Sequence, residues 1–209
     1  MANQINKDYF VRDILVSRIN TPEGSASIDS SIDKFEKEAL LKVLGYDLYQ
    51  LFIANPTDQR FIDLSEGKEF EFDFCGKTIK RKYVGLKNAE KESLIAYYVY
   101  FKHQSNNETF SSTVGEVKPS TENASSVSAR MKLTRAWNKF IELSGDLNKT
   151  DYKKFYGLYC FDQLDLSTYQ HVNTDPSLFN YLLANKDVYP EWEYDWKICE
   201  SGKINIFGI

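Results

Sequence analysis

Side chains that could act as nucleophiles or metal ligands are few in this sequence of 209 residues, which has three cysteines and two histidines. Cys75, Cys160 and Cys199 lie far apart and form no Cys-x-x-Cys pair, which is typical of reduced structural thiols rather than of a zinc site. Neither His103 nor His171 has a second ligand at a metal-binding spacing, so a helix-end or surface histidine is the simpler interpretation. A nucleophilic Cys75 would also need a histidine base. The sequence therefore predicts no metal, no cofactor and no nucleophilic centre.

Acidic side chains are the next candidates, because two carboxylates in different environments can act as general acid and general base. Glu36 and Glu38, and likewise Glu90 and Glu92, alternate with lysines along predicted helices. That pattern is typical of a solvated helix face, which would not separate the two pKa values. The sequence also lacks the phosphate-binding and nucleophile motifs GxGxxG, GxxxxGKS/T and GxSxG. We therefore expect that the protein is not an enzyme.

Basic side chains could contact phosphates, although the formal net charge is -4, from 26 Lys and Arg against 30 Asp and Glu. That balance argues against avid nucleic-acid binding through the overall charge, but it leaves a local basic surface open. Four basic residues fall on the third long predicted helix, namely Arg130, Lys132, Arg135 and Lys139. They are candidates for contact with DNA phosphates, and a solvated helix face is the simpler alternative.

The elements that must position these side chains are mostly helical. The first predicted helix begins near Ser30 or Ser31, after a turn-forming segment at residues 20–25, and ends at Gly45. Its apolar stripe consists of Ile32, Phe35, Ala39, Leu40, Val43 and Leu44. A second, short helix follows over residues 46–53 and ends before an Asn-Pro pair, because the residue before a proline disfavours helix.

Two further long helices and one short helix follow. Asn88 can be the N-cap of a helix that runs to about Gln104. This helix is apolar or aromatic nearly all round, which is typical of a helix surrounded by protein. Another helix should run from Ser125 to Leu143, and a short one through Leu183 opens at an Asp-Pro pair. The fold class is therefore mainly α, with a core of about three to four helices.

A β-hairpin is predicted at residues 69–84, because three phenylalanines alternate there with three acidic residues. A two-residue turn at Cys75-Gly76 sets the register. That register pairs Phe72 with Ile79, Glu71 with Lys80 and Glu69 with Lys82. One face is then aromatic and the other carries opposite charges. The aromatic face must pack against something, since a lone hairpin is only marginally stable.

Two regions have too little apolar periodicity to form a core by themselves. Residues 105–124 are polar and rich in Ser and Thr, and a loop this long is usually disordered or ordered by a partner. Residues 149–209 form an aromatic C-terminal arm, which is typical of an interface. We therefore divide the chain into a lead-in at residues 1–29, a helical core at residues 30–148 that includes the hairpin and the long extended loop, and the arm.

Five stretches of this chain resemble sequences of one protein family. They are Ser31–Tyr49, Gly85-Leu86 with Ala96–Phe101, Thr113–Val117, Ala136–Asn138 and Asn205–Ile209. These stretches resemble the head–tail connector, or portal adaptor, proteins of tailed phages and prophages of Bacteroidales-type bacteria, including crAss-like phages. The resemblance covers most of residues 8–145, and the C-terminal arm matches more loosely.

The resemblance implies a structural virion protein, made in the host cytoplasm and located at the portal vertex or tail. It implies a dodecameric ring under the portal that forms part of the DNA channel and binds the portal protein and neighbouring ring or tail proteins. Genomic DNA would pass without specific binding, and no membrane is involved. The residues then expected at subunit or portal contacts are Thr109, Phe110, Thr113, Val114, Val117, Trp192, Trp196 and Phe207. The four basic residues of the third long helix would face the DNA channel.

Two other functions stay open from the sequence. One is a phage-encoded hydrolase acting on nucleic acid or cell wall, whose site would use acidic residues such as Glu69, Glu71 and Asp73. The other is a different virion-associated protein, such as an internal cargo protein or a tail-fibre adaptor. A converging acid–base or metal cluster would favour the hydrolase, and location in the particle would identify the adaptor.

Overall fold

The computed structural model describes residues 3–74, 77–107, 110–112, 115–117, 130–145 and 176–192. In this part of the chain the fold is mainly α, as predicted, with two small antiparallel hairpins. The helices are α1 (Pro22–Leu44), α2 (Tyr46–Ala54), α3 (Gln59–Glu66), α4 (Leu94–Asn107), α5 (Arg130–Ser144) and α6 (Leu178–Ala184). The strands are β1 (Lys68–Phe74), β2 (Lys77–Tyr83), β3 (Phe110–Ser112) and β4 (Gly115–Val117). Two 3₁₀ turns, Lys7–Tyr9 and Arg12–Ile14, precede α1.

Helix α1 begins at Pro22, so the predicted start at residues 30–31 is wrong. Thr21 is the N-cap, and its side chain accepts a hydrogen bond from the Gly24 backbone N–H. The segment predicted as a turn is thus a capped helix start, in which proline's fixed φ suits the first helical position. A Cβ at Gly24 would lie 2.0 Å from the Arg18 carbonyl oxygen, which explains a glycine in the first turn.

Helix α4 lies in the core between α1 and α5, and every residue from Leu94 to Tyr100 is buried, as the composition predicted. The predicted cap at Asn88 is wrong. Asn88 lies in the preceding turn with a φ of 34°, and its side chain accepts a hydrogen bond from the Glu90 N–H. Ser93 stands before the helix instead, and its hydroxyl accepts from the Ile95 N–H at 3.2 Å.

The register of the β1–β2 hairpin is the predicted one. It pairs Phe72 with Ile79, Glu71 with Lys80 and Glu69 with Lys82. The turn at residues 75–76 lies outside the described residues. At the base of the hairpin, Phe70 and Tyr83 are buried against Tyr181 of α6, with ring centroids 5.3 Å and 4.4 Å from it. The aromatic face therefore has a packing partner at this end.

The segment predicted as a loop over residues 105–124 is partly regular. Helix α4 continues to Asn107, and β3 pairs with β4 in a short antiparallel ladder. Residues 108–109, 113–114 and 118–129 lie outside the described part of the chain. Helix α5 ends at Ser144, where Gly145 takes a φ of 99°, in agreement with the predicted glycine stop.

Residues 176–192 pack on the helical body as part of the same hydrophobic core. Ser177 is the N-cap of α6, and its hydroxyl accepts a hydrogen bond from the Asn180 N–H at 3.3 Å. Pro176 therefore precedes the cap rather than lying in the first turn as predicted. The buried residues of α6 are Leu178, Phe179, Tyr181 and Leu182.

Candidate functional site

Glu36 was predicted to lie on a solvated helix face, but its residue is only 6% exposed, so that prediction is wrong. Its carboxylate accepts hydrogen bonds from the backbone N–H groups of Gln4, at 2.8 Å, and Ile5, at 3.2 Å. Burial raises the pKa of Glu36, although the two backbone N–H groups act in the opposite direction. The carboxylate thus fixes the N-terminal segment on α1. Helical periodicity could not indicate this role, because the donors are distant backbone groups.

Glu38 of α1 accepts a hydrogen bond from the hydroxyl of Tyr98, at 2.5 Å, and pairs with the Lys102 ammonium at 2.9 Å. Burial alone would raise the pKa of Glu38, but the hydrogen bonds from Tyr98 and Lys102 outweigh it and lower the pKa. Burial and the adjacent carboxylate raise the pKa of Tyr98, so its phenol stays protonated. The three groups join α1 to α4.

His103 is 6% exposed and lies inside the contact between α1 and α4, not on the surface. Its Nδ1 is 2.8 Å from the Ser31 hydroxyl, which donates its own proton to the Ser27 carbonyl. Nδ1 is therefore the donor in the His103–Ser31 bond. Burial lowers the pKa of His103, which keeps the ring neutral. The arrangement is that of a core histidine with a hydrogen-bond partner.

The basic residues of α5 border a cleft of about 650 Å³ between that helix, the start of α4 and the Arg12–Ile14 turn. Lys132, Arg135 and Lys139 line it, as expected for a shared face. The side chain of Arg130 lies outside the described part of the structure. Three of the four residues predicted to face DNA are therefore brought together at one concave surface.

Arg12 completes the cleft from the N-terminal side, which the sequence did not indicate. Its guanidinium pairs with Glu92 at 2.9 Å, and Lys139 pairs with Glu142 at 3.0 Å. In the described residues Lys132 has no ion-pair partner. The same holds for Arg135, and both side chains are exposed. The cleft therefore offers two cations that are not already neutralised.

Trp192 was expected at a subunit or portal contact, yet it is only 7% exposed in this chain. Its indole meets Phe179 with ring centroids 5.4 Å apart, and its Nε1–H donates to the Val43 carbonyl at 3.3 Å. An indole buried in this way offers little surface to another protein. Phe110 and Val117 face each other across the β3–β4 ladder. Thr109, Thr113, Val114, Trp196 and Phe207 lie outside the described residues.

The segment that carries Trp192 is anchored by a polar network that sequence reasoning missed. The hydroxyls of Tyr181 and Tyr189 lie 3.1 Å apart, and Tyr189 also donates to the Arg60 carbonyl at 2.7 Å. The Arg60 guanidinium pairs with Glu191 at 3.2 Å. The high aromatic content of the arm was the available signal, but it does not distinguish docking on the same chain from docking on another.

The acidic residues considered for a hydrolase do not converge with other groups in the described part of the chain. Glu69 and Glu71 are exposed on the charged face of the hairpin, and Glu71 pairs with Lys80 at 2.7 Å. The side chain of Asp73 is outside the description. No group of three or more His, Cys, Asp or Glu among the described residues could hold a metal ion. None of the helices described here combines the length and apolar character needed to cross a membrane.

The chain was also compared with known proteins. It matches no family model, and the comparisons with curated proteins and with solved structures gave no significant match. Function must therefore be inferred from the residues and their geometry.

Proposed function

We propose that the chain is a structural subunit of a phage head–tail connector, a ring that joins the portal to the tail and surrounds the passing DNA. In this role it contacts copies of itself, the portal protein and neighbouring ring or tail proteins within the virion. It uses no cofactor and catalyses no reaction. The resemblance of its sequence to that family is the starting point, and a mainly helical fold is what such a subunit requires.

The observation that carries the proposal is the β1–β2 hairpin. Its base is buried on α6 through Phe70 and Tyr83, while residues on its charged face, such as Glu71 and Lys80, are exposed. The register pairs Phe72 with Ile79, at positions that alternate in step with Phe70 and lie further from that base. An aromatic face that continues outward along an arm is suited to contact with a neighbouring copy, as in a ring.

The use of the polar groups in the core supports a structural role. Glu36 holds two backbone N–H groups, Glu38 holds Tyr98 and Lys102, and His103 bonds to a serine. Groups with fixed partners of this kind stabilise a rigid subunit. They do not offer a free acid and base to a substrate.

Native mass spectrometry of the full-length chain over a range of concentrations tests ring formation. We expect one closed oligomer, dodecameric if the resemblance holds for subunit number. Phe72→Glu should prevent assembly, because it puts a charge on the aromatic face of the hairpin. Thr78→Glu adds the same charge to the opposite face, so it is the matched control and should still assemble. Far-UV circular dichroism would show whether both variants keep the helical fold.

Immunogold labelling of purified phage particles tests the location. We expect label at the portal vertex or neck. A wild-type chain that stays monomeric at every concentration and is missing from the particles would contradict the proposed function. Label confined to fibres or to the capsid interior would favour a different adaptor or a cargo protein.

A further inference from the structure

We propose that the cleft between the Arg12–Ile14 turn and α5 binds the phosphate esters of a nucleic-acid backbone through Arg12, Lys132 and Arg135. The proposal rests on the proposed function only for the source of the phosphate, which would be the DNA that passes through the ring. The cleft lies within one copy of the chain, so its binding can be measured whether or not a ring forms.

The cleft is a locally positive region of a protein with a net charge of -4. Four cations line it against the three carboxylates of Asp13, Glu92 and Glu142. Two of those cations, Lys132 and Arg135, have no ion-pair partner among the described residues. Residues three apart on a helix lie on the same side, so both can reach one anionic group. These two side chains therefore form the centre of the proposed site.

The Arg12 side chain is available to an anionic ligand because it is exposed and weakly paired. It is 63% exposed, and its only ion pair in the described residues is with Glu92, whose side chain is 37% exposed. Because exposed ion pairs are weak, a phosphate can displace Glu92 and accept two hydrogen bonds from the guanidinium.

The lining of the cleft favours a phosphate backbone over an acidic protein segment. Its apolar and aromatic members, Ile14, Tyr97 and Ala136, are all buried, so they offer little apolar surface to an anchoring side chain. Protein partners usually depend on such anchors, whereas nucleic acids bind largely through backbone charge. A volume of about 650 Å³ suits a group of nucleotide size. A flexible single strand can enter the cleft, and a duplex passing through the ring would meet the exposed Lys132 and Arg135 at its rim.

Fluorescence anisotropy with a short fluorescein-labelled oligothymidylate tests the site on the full-length chain. We expect salt-dependent binding, with an affinity about tenfold lower for Lys132→Glu/Arg135→Glu because both unpaired cations are reversed. The slope of log K against log salt should fall in magnitude by about 1.4, which corresponds to about 0.7 for each lost phosphate contact on a single strand. Lys132→Ala/Arg135→Ala should weaken binding less than the charge reversal does. Because it adds no negative charge, it also checks that the loss seen on reversal does not come from disturbed folding.

The matched control is Lys37→Glu/Lys186→Glu, which makes the same change in net charge at two exposed lysines outside the cleft. It should leave the affinity within about twofold of wild type, since neither lysine lines the cleft and salt weakens the effect of more distant exposed charges. Glu92→Gln should tighten binding, because it releases Arg12 from its ion pair. Competition by inorganic phosphate or a free nucleotide at low concentration would count against a nucleic-acid backbone, because it would identify a small phosphate compound as the better ligand.

Three results would overturn the proposal. The first is no binding of the oligonucleotide, of inorganic phosphate or of a nucleotide at low salt. The second is an equal loss of affinity in the control pair, which would mean that only the overall charge matters. The third is preferential competition by polyglutamate, which would assign the cleft to an acidic protein segment. Native mass spectrometry of the same samples separates this question from ring formation, because a monomer that binds the oligonucleotide would support the cleft and count only against assembly in solution.

Discussion

The α1–α4 interface and the β1–β2 hairpin both pair a glutamate with a lysine at nearly the same distance. Glu38 and Lys102 are 2.9 Å apart, and Glu71 and Lys80 are 2.7 Å apart. In the interface a third group, the buried Tyr98, also donates to the carboxylate, whereas the hairpin pair is exposed on both sides. The comparison teaches that distance alone does not rank these contacts. Burial and the number of hydrogen-bond partners decide how much each one stabilises the fold.

The largest effect is expected for Glu36→Ala, a more deeply buried carboxylate than Glu38 on the same helix, where it holds the N-terminal segment. The change leaves the backbone N–H groups of Gln4 and Ile5 without an acceptor. A buried unsatisfied donor costs about 1–3 kcal/mol and the Gln4 group is only partly buried, so the free energy of unfolding should fall by roughly 2–4 kcal/mol. Urea denaturation followed by circular dichroism measures it. Lys37→Ala, at the next and exposed position, is the control and should change stability by less than about 0.5 kcal/mol. Equal effects at the two positions would break the comparison.

A smaller loss is expected for Tyr98→Phe, which removes only the hydroxyl that donates to Glu38. A hydrogen bond to a charged group contributes about 1.5–3 kcal/mol, and we expect about 1.5 kcal/mol here because the Glu38 side chain is 42% exposed and water can replace the donor. Tyr100→Phe is the matched control, since Tyr100 is buried but makes no hydrogen bond within the described residues. Its unfolding midpoint in urea should stay near that of wild type.

The buried His103, in the contact between α1 and α4, should also make the stability of the protein depend on pH. Burial lowers the pKa of His103 in the folded state, so the unfolded chain binds the proton more readily. The resulting stability is present above the ordinary value of 6.5 and is lost as the pH falls through the folded pKa. Glu36 has the opposite sign, because its raised pKa makes stability fall as the pH rises above 4.5. Comparing the free energy of unfolding of wild type and His103→Gln across pH isolates the contribution of the histidine. If both free energies fall in parallel below pH 6.5, the histidine does not have this role.

The two regions also differ in how well the sequence predicted them. The hairpin register follows from a period of two and a short turn, so every pair lies close in sequence and the prediction is confirmed. The burial of α4 follows equally from its composition. The start of α1 was missed because Thr-Pro and a nearby glycine are typical both of a turn and of a capped helix. Only the close approach of Arg18 to Gly24 decides between them.

The cleft shows which contacts can be predicted from the sequence and which cannot. The basic residues of α5 share a helical face, so Lys132 and Arg135 could be predicted as neighbours from their spacing. The sequence could not show that Arg12 belongs to this cleft, because it is 80 residues from its partner Glu92 and contacts it only through tertiary packing. Glu36 was likewise predicted to be exposed to solvent, because the backbone N–H groups that it binds lie 31 and 32 residues away. Local patterns predict which element a charge lies on, and the packing of distant segments decides whether it is buried.

The smallest effect is expected from the hairpin pair, where Glu71→Ala should leave the urea midpoint indistinguishable from that of wild type. The Lys80 side chain is 81% exposed, so water and salt already screen its attraction to the carboxylate. Glu71→Lys should lower stability slightly, because it puts two positive charges directly opposite each other, and the swap Glu71→Lys/Lys80→Glu should restore it. A restored midpoint means that the pair requires opposite charges across the two strands, although it contributes little to the stability of the fold. A shift for Glu71→Ala as large as that for Glu36→Ala would instead mean that the exposed ladder supports the body as strongly as the buried interface does.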